Sequence, residues 1–90
     1  MKFAVYYEAR AAKELAKIDR PHQILIKRKI EQIAEDFEAL KANLKPLKGH
    51  YDYFRLQAGS YRVVFHKDEN RMIITIVRIG HRKNIYRALD

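Results

Sequence analysis

Two arginines and several tyrosines lie close together in a stretch that is typical of a β-hairpin. Residues 51–57 and 60–67 are strand-like, and Ala58-Gly59 between them is good turn material. With those two residues as the loop, Arg55 lies directly across from Arg62, with Tyr51 and Tyr53 on the same face. Like charges in this position destabilise a sheet. The pattern therefore indicates a site where an anion or a carboxylate bridges the arginines, beside rings on which bases can stack.

The same face has a second interpretation that needs no ligand. The two arginines would then point apart into solvent, each stem lying on its neighbours. In both interpretations the opposite face of the hairpin is predicted to be core, with Phe54, Leu56, Tyr61 and Val63 pointing inward.

A second group of polar side chains follows the last predicted strand. Arg78 to Lys83 reads RIGHRK, and Tyr86 comes shortly after it. Gly80 is expected to break the strand and let the backbone turn sharply. Histidine titrates near neutral pH, so His81 is a candidate general acid or base. The alternative is a basic C-terminal turn with an exposed histidine.

The remaining histidines and the missing motifs limit the chemistry further. His66 shares the predicted face of Arg62 and is a weak candidate, whereas His22 and His50 have no partners at metal-ligand spacing. The chain has no cysteine, which excludes disulfides, Cys-based metal sites and thiol nucleophiles. It has no metal-binding or nucleotide-cofactor motif. We therefore expect no cofactor and no metal.

The charge of the chain points to an anionic partner. The net charge is +8 and the pI about 9.9. Residues 1–44 carry nine basic and seven acidic groups, and residues 45–90 carry ten and four, so the second half is the candidate binding surface. Nucleic acid, a membrane surface and an acidic protein all remain possible partners. No apolar stretch approaches the roughly 20 residues of a membrane helix, and we expect a soluble, cytoplasmic protein.

The elements that would position these residues form one small domain, residues 1–90, of which 48% are hydrophobic. Residues 2–7 predict a strand and residues 8–18 a short helix. After the break at residues 19–21, a second helix is predicted to run to about Leu40. Its apolar stripe consists of Ile26, Ile30, Ile33, Phe37 and Leu40.

The second half changes to a strand period. Residues 51–57, 60–67 and 71–79 predict an antiparallel meander, and residues 84–87 a tail or one helical turn. The order β-α-α-β-β-β predicts a two-layer α+β domain in which a helical hairpin packs against a small sheet.

Three segments resemble the RelE side of the RelE/ParE superfamily of bacterial and archaeal toxins. They are LKG (Leu47–Gly49), YFRLQAGSYRVVF (Tyr53–Phe65) and VRIGHRKNIYR (Val77–Arg87). The resemblance implies a RelE-like fold and the toxin of a type II toxin–antitoxin system. It further implies a metal-free endoribonuclease that cuts mRNA in the ribosomal A site by attack of the ribose 2′-hydroxyl. The implied partners are the ribosome, mRNA and a RelB-like antitoxin with an acidic segment, commonly assembled with the toxin as a heterotetramer.

The resemblance also implies roles for individual residues. Arg62 matches the strand arginine that stabilises charge on the phosphate, Arg55 a basic position on the preceding strand, and Arg82 a basic residue that helps the leaving oxygen. Tyr86 matches a C-terminal tyrosine that stacks on or orients the substrate. Tyr53 and His81 stand where some members carry lysine, and we hypothesise that His81 supplies part of the proton transfer. RNA contacts are expected at Lys48, Tyr53, Arg78 and Lys83.

Two other functions fit the same sequence. A ParE-like toxin that inhibits DNA gyrase shares the fold, but generally lacks the combination of Arg55, Arg62, Arg82 and Tyr86. A non-catalytic RNA- or DNA-binding module would use the same basic face, and its affinity would fall steeply with salt.

Overall fold

The protein folds as a two-layer α+β domain, described by a computed structural model for residues 2–39, 44–47 and 52–85. The predicted order of elements is confirmed, with one additional strand. The elements are β1 Ala4–Tyr7, α1 Ala9–Ala16, α2 Arg20–Glu35, β2 Leu44–Pro46, β3 Tyr53–Ala58, β4 Tyr61–Asp68 and β5 Ile73–His81. Neither described helix is long and apolar enough to cross a membrane.

The two helices form the predicted hairpin. Pro21 lies in the first turn of α2, where its missing N–H breaks no helical hydrogen bond. Gln23 Nε2 donates to the carbonyl oxygens of Leu15 at 3.0 Å and Ile18 at 2.7 Å, which ties α2 to the end of α1. The helix ends at Glu35, earlier than the stripe predicts, and Phe37 lies in a short 3₁₀ turn beyond it.

The five strands form one sheet in the order β1-β5-β4-β3-β2. The first strand pairs parallel to β5, and the other neighbours are antiparallel. The helical hairpin covers one face, which we call the inner face. Its core includes Leu15, Ile26, Ile30 and Ile33 from the helices and Leu56, Val63, Phe65, Ile74, Ile76 and Ile79 from the strands.

The register of the β3–β4 hairpin differs from the prediction. The loop is Gly59-Ser60, so Ala58 pairs with Tyr61. Gly59 has a φ of 61°, and a glycine with positive φ suits the first place of a tight hairpin turn. Arg55 therefore faces Val64, while Arg62 faces Gln57, and the direct arginine pair predicted from the sequence is wrong. The observed pairing is shifted by two residues from the predicted pairing. Because side chains alternate between the faces, each one stays on its predicted face.

Gly80 does not break the last strand as predicted; it makes room for the side chain of Ile85. It lies inside β5 opposite Arg62, and the strand continues to His81. A Cβ at position 80 would lie 3.3 Å from Cδ1 of Ile85, a side chain that is 2% exposed. The absent side chain thus makes room for Ile85, which folds back in a turn whose N–H groups, from Asn84 and Ile85, donate to the His81 carbonyl.

Candidate active site

On the face of the sheet away from the helices, the outer face, three arginines form a group that we call the arginine cluster: Arg55 on β3, Arg62 on β4 and Arg82 just after β5. Partial burial lowers the pKa of Arg62, and the positive charges of Arg55 and then Arg82 lower it further. Arg62 is therefore close enough to the guanidinium groups of Arg55 and Arg82 to be repelled by both. Such a site is stabilised by an anion placed among them.

Local hydrogen bonds fix the geometry of this cluster. Nη1 of Arg62 donates to the carbonyl oxygens of Gly59 and Tyr61, each at 2.9 Å. The backbone N–H of Arg82 donates to the carbonyl of Ser60 at 2.9 Å, so the segment after β5 is tied to the β3–β4 turn. Arg62 and Arg82 thus approach each other although they are 20 residues apart in the sequence.

A second pair of side chains extends the outer face beyond Arg55. Tyr53 and His66 are register partners on β3 and β4, and their ring centroids lie 4.8 Å apart with an interplanar angle of 54°. Both are partly buried. The sequence predicts Tyr53 as an RNA contact and His66 as a weak candidate, and the structure places both on the face of the arginine cluster.

His81 lies on the inner face instead. It pairs with Tyr61, and the two rings meet edge to face at 5.7 Å. Tyr61 in turn contacts the ring of His22 at 5.2 Å, and His22 Nδ1 bonds the Asp19 carboxylate at 2.8 Å. The Lys83 backbone N–H donates to His81 Nδ1 at 3.2 Å, so the neutral ring carries its proton on Nε2. The structure thus separates His81 from the arginine cluster.

Arg78 takes part in an internal ion pair. Its Nη2 lies 2.8 Å from Oε2 of Glu14 on α1, and its Nε lies 3.1 Å from the same carboxylate. Oε1 of Glu14 also accepts the Ile79 N–H at 3.0 Å, on the part of β5 that continues past its pairing with β1. This geometry gives Arg78 a role in joining α1 to β5, besides the predicted RNA contact.

The other predicted residues divide between described and undescribed parts. Lys83 is exposed in the turn after β5. Lys48 and Tyr86 lie outside the described residues. Within the described ranges, no group of three or more His, Asp or Glu side chains could hold a metal ion.

Glu14 and the His22–Tyr61 contact were missed by the sequence interpretation. Glu14 is 64 residues from Arg78 and looks like any exposed helical acid in the sequence. The only local indication of a structural role for Glu14 is that it directly precedes Leu15, a buried residue of α1.

Comparisons with known proteins identify the family of this chain. The family model "ParE toxin of type II toxin-antitoxin system, parDE" matches residues 5–86. The toxin RelE3 of Methanocaldococcus jannaschii is 31% identical over 67 residues, which cover 68% of this chain and 74% of that toxin. The chain therefore belongs to the RelE/ParE superfamily of toxins from type II toxin–antitoxin systems.

Solved structures show the same fold. The free Escherichia coli toxin RelE, in a doubly substituted form, superposes with a TM-score of 0.79 at 21% identity, covering 99% of this chain and 93% of that one. RelE in the archaeal RelE–RelB complex of Pyrococcus horikoshii gives 0.78 at 19% identity, covering 91% and 97%. The predicted RelE-like fold is confirmed.

Proposed function

We propose that this toxin is a metal-independent endoribonuclease that cleaves mRNA in the ribosomal A site and so inhibits translation. The observation that carries the proposal is the arginine cluster, in which Arg62 is held by two carbonyl groups while Arg55 and Arg82 add positive charge. Ribosomes and mRNA are cytoplasmic in bacteria and archaea, so we place the protein there.

The chemistry follows from the charges at the phosphate. Attack of a ribose 2′-hydroxyl on the adjacent phosphorus forms a new P–O bond, breaks the bond to the 5′-oxygen and leaves a cyclic phosphate and a 5′-hydroxyl. Negative charge grows on the phosphate oxygens along this path, and arginines can stabilise it through paired hydrogen bonds. Arginine stays charged at neutral pH and is a poor proton acceptor, so the cluster serves charge stabilisation and positioning.

An acidic antitoxin is the proposed silencing partner. Several similar structures are complexes of RelE with RelB, and charge complementarity would bring acidic side chains of such a partner to this basic chain. Carboxylates on the arginine cluster would exclude mRNA phosphate from the same groups. We propose an assembly of two toxins and two antitoxins.

A ParE-like action on DNA gyrase is the second candidate, because the matching family model is named for the ParE toxin. The cluster of Arg55, Arg62 and Arg82 favours the nuclease, since poisoning a protein target does not call for neighbouring cations that can stabilise charge on a phosphate.

Primer extension on an mRNA under translation tests the proposal. Wild-type toxin should produce cuts within codons, absent when ribosomes are omitted. Arg62→Ala should reduce the cleavage rate by on the order of 10²–10³, the usual effect of removing one such donor. Arg71→Ala is the matched control, because Arg71 is an exposed arginine in the β4–β5 turn, paired loosely with Asp68 at 3.9 Å.

Three results would contradict the nuclease proposal. Cleavage of free RNA at the wild-type rate would remove the ribosome from the mechanism. Gyrase-dependent DNA breaks without mRNA cuts would favour the ParE-like function. RNA binding with neither mRNA cuts nor gyrase-dependent breaks would favour a non-catalytic binding module.

A further inference from the structure

The outer face carries one histidine among its described strand residues, His66 of β4. Its register partners are Tyr53 on β3 and Thr75 on β5. The Tyr53 ring packs against the imidazole at 4.8 Å between centroids and restricts its orientation. A histidine changes protonation between about pH 5 and 8 and so can accept a proton under cellular conditions.

The position of His66 relative to the arginine cluster suits one nucleotide. Val64 is the register partner of Arg55 and lies midway between Arg62 and His66 along β4. Arg55 is therefore a diagonal neighbour of both residues on one face, and such neighbours have Cα atoms about 7–8 Å apart. A phosphate held between Arg55 and Arg62 would place the attached ribose within reach of the imidazole.

The other described histidines are less suitable. His22 and His81 both lie on the inner face around Tyr61. Nδ1 of His22 is engaged by Asp19, and Nδ1 of His81 accepts the Lys83 N–H. A neutral His81 thus presents an N–H rather than a lone pair to its surroundings.

We propose that His66, held in place by Tyr53, is the group that accepts the proton of the attacking ribose 2′-hydroxyl. This inference rests on the nuclease function proposed above. As the 2′-oxygen bonds to phosphorus, its proton passes to an imidazole nitrogen of His66. The bond from phosphorus to the 5′-oxygen breaks with its electron pair, and that oxygen takes a proton from water. The protonated imidazole then returns its proton to solvent.

The surroundings of His66 define the expected pH dependence. From β3 it faces Tyr53 and Arg55, and from β5 it faces Thr75, with Arg78 opposite the neighbouring Val64. Along β4 its charged outer-face neighbours are Asp68, two positions further on, and Arg62. Tyrosine and arginine both titrate well above neutral pH. Aspartate ordinarily titrates below this range, and of these residue types only histidine ordinarily changes charge between pH 5 and 8. A cleavage rate that depends on an imidazole base at this place should therefore rise with pH across that range.

Single-turnover cleavage on mRNA-programmed ribosomes tests this role across pH 5–8. His66→Gln should lower the rate at pH 8 by on the order of 10²–10⁴, the range for a general base. Its deficit relative to wild type should shrink as the pH falls, because the wild-type ring becomes protonated. His66→Phe keeps a ring beside Tyr53 but cannot take a proton, and it should lose as much activity as His66→Gln.

A control variant and three contrary outcomes distinguish a failure of the role given to His66 from a failure of the nuclease proposal. His22→Gln, on the inner face, should keep the wild-type rate and pH profile. Near-wild-type cleavage by His66→Phe would overturn the inference and reduce His66 to a packing role. A pH profile flattened by His81→Gln and unchanged by His66→Gln would assign the proton transfer to His81. If the wild-type toxin itself makes no cuts on programmed ribosomes, the nuclease proposal fails, and this inference fails with it.

Discussion

At the scale of single residues, Glu14 combines an ion pair with a backbone hydrogen bond, and both join α1 to β5. Its carboxylate pairs with Arg78 and also accepts the Ile79 N–H. The Glu14 side chain is 24% exposed and the Arg78 side chain 14%, so solvent screens the pair only in part. An ion pair of this kind is costly to break on one side, because the remaining charge loses its partner.

We therefore expect Glu14→Ala to lower the free energy of unfolding by about 1–3 kcal/mol. Glu14→Gln keeps an acceptor for the Ile79 N–H and should cost less. Urea unfolding measures both. The matched control is Glu35→Gln, which breaks the exposed Lys2–Glu35 pair and should change the stability by less than about 0.5 kcal/mol. Equal effects of Glu14→Ala and Glu35→Gln would contradict the role given to Glu14.

Single-residue roles were predictable from the sequence only where they follow from strand alternation. The sequence predicts one shared face for Tyr53, Arg55, Arg62 and His66, and the structure confirms it. Side chains alternate between the two faces, so a register shift of two residues leaves each side chain on the same face. The internal pairing of Arg78 depends on where α1 crosses β5, and no local pattern encodes that crossing. The placement of His81 on the inner face follows from β5 continuing through Gly80.

At the scale of elements, the fit between Gly80 and Ile85 positions the turn that carries Arg82. Gly80→Val would place methyl groups where Ile85 Cδ1 now packs at 3.3 Å from the Cβ position. We expect a loss of about 1–3 kcal/mol from this overpacking, measured by thermal or urea unfolding.

A double-mutant cycle checks the mechanism of this loss. Ile85→Ala alone removes a buried side chain and should cost about 2–4 kcal/mol. If the two side chains compete for one space, Gly80→Val in the Ile85→Ala background should cost less than in the wild type, giving a coupling energy of at least about 0.5 kcal/mol. Additive effects would show that the introduced valine side chain is accommodated elsewhere.

Phe37 joins the end of α2 to the sheet from a position outside the helix. Its ring meets Phe54 at 5.4 Å and Phe65 at 6.3 Å edge to face, and Nζ of Lys67 lies 3.8 Å from its centroid. Because Phe37 is partly exposed, Phe37→Ala should cost about 2–3 kcal/mol, below the range for a fully buried ring. Ile24→Ala, at an exposed position of α2, should leave the melting temperature nearly unchanged. A similarly small effect of Phe37→Ala would contradict the packing described.

The order and type of the elements were predictable because apolar periodicity differs clearly between the two halves of the chain. The strand β2 was missed since its three residues, Leu44–Pro46, are too few to show a period and end in proline. The hairpin loop was misplaced by one residue because Ala58-Gly59 and Gly59-Ser60 are both acceptable turn pairs. Only the φ of 61° at Gly59, at the first loop position, separates them.

At the scale of the whole molecule, the net charge of +8 is divided between structure and binding. Arg78 and Lys67 are used internally, the first with Glu14 and the second with Glu69 and the ring of Phe37. The arginine cluster is different, because partial burial and the positive charges of Arg55 and Arg82 disfavour the charged form of Arg62 and lower its pKa. The basic surface is therefore strained electrostatically at one place, and that place should gain most from an anion.

This strain predicts that sulfate stabilises the free toxin more than chloride does at equal ionic strength. An anion that binds only the folded protein stabilises it by about 1.4 kcal/mol at ten times its dissociation constant, which raises the melting temperature of a domain this small by several degrees. Arg82→Gln should weaken the sulfate effect, whereas Arg71→Gln should retain it.

The lowered pKa of Arg62 disfavours its charged form in the folded state, but the group stays protonated through neutral pH. The free-energy cost of the charged Arg62 in the folded state is therefore constant below that pKa. The rise in melting temperature caused by sulfate should accordingly be the same at pH 6 and pH 8. A sulfate effect that disappears between these values would assign anion binding to a histidine instead of the arginine cluster.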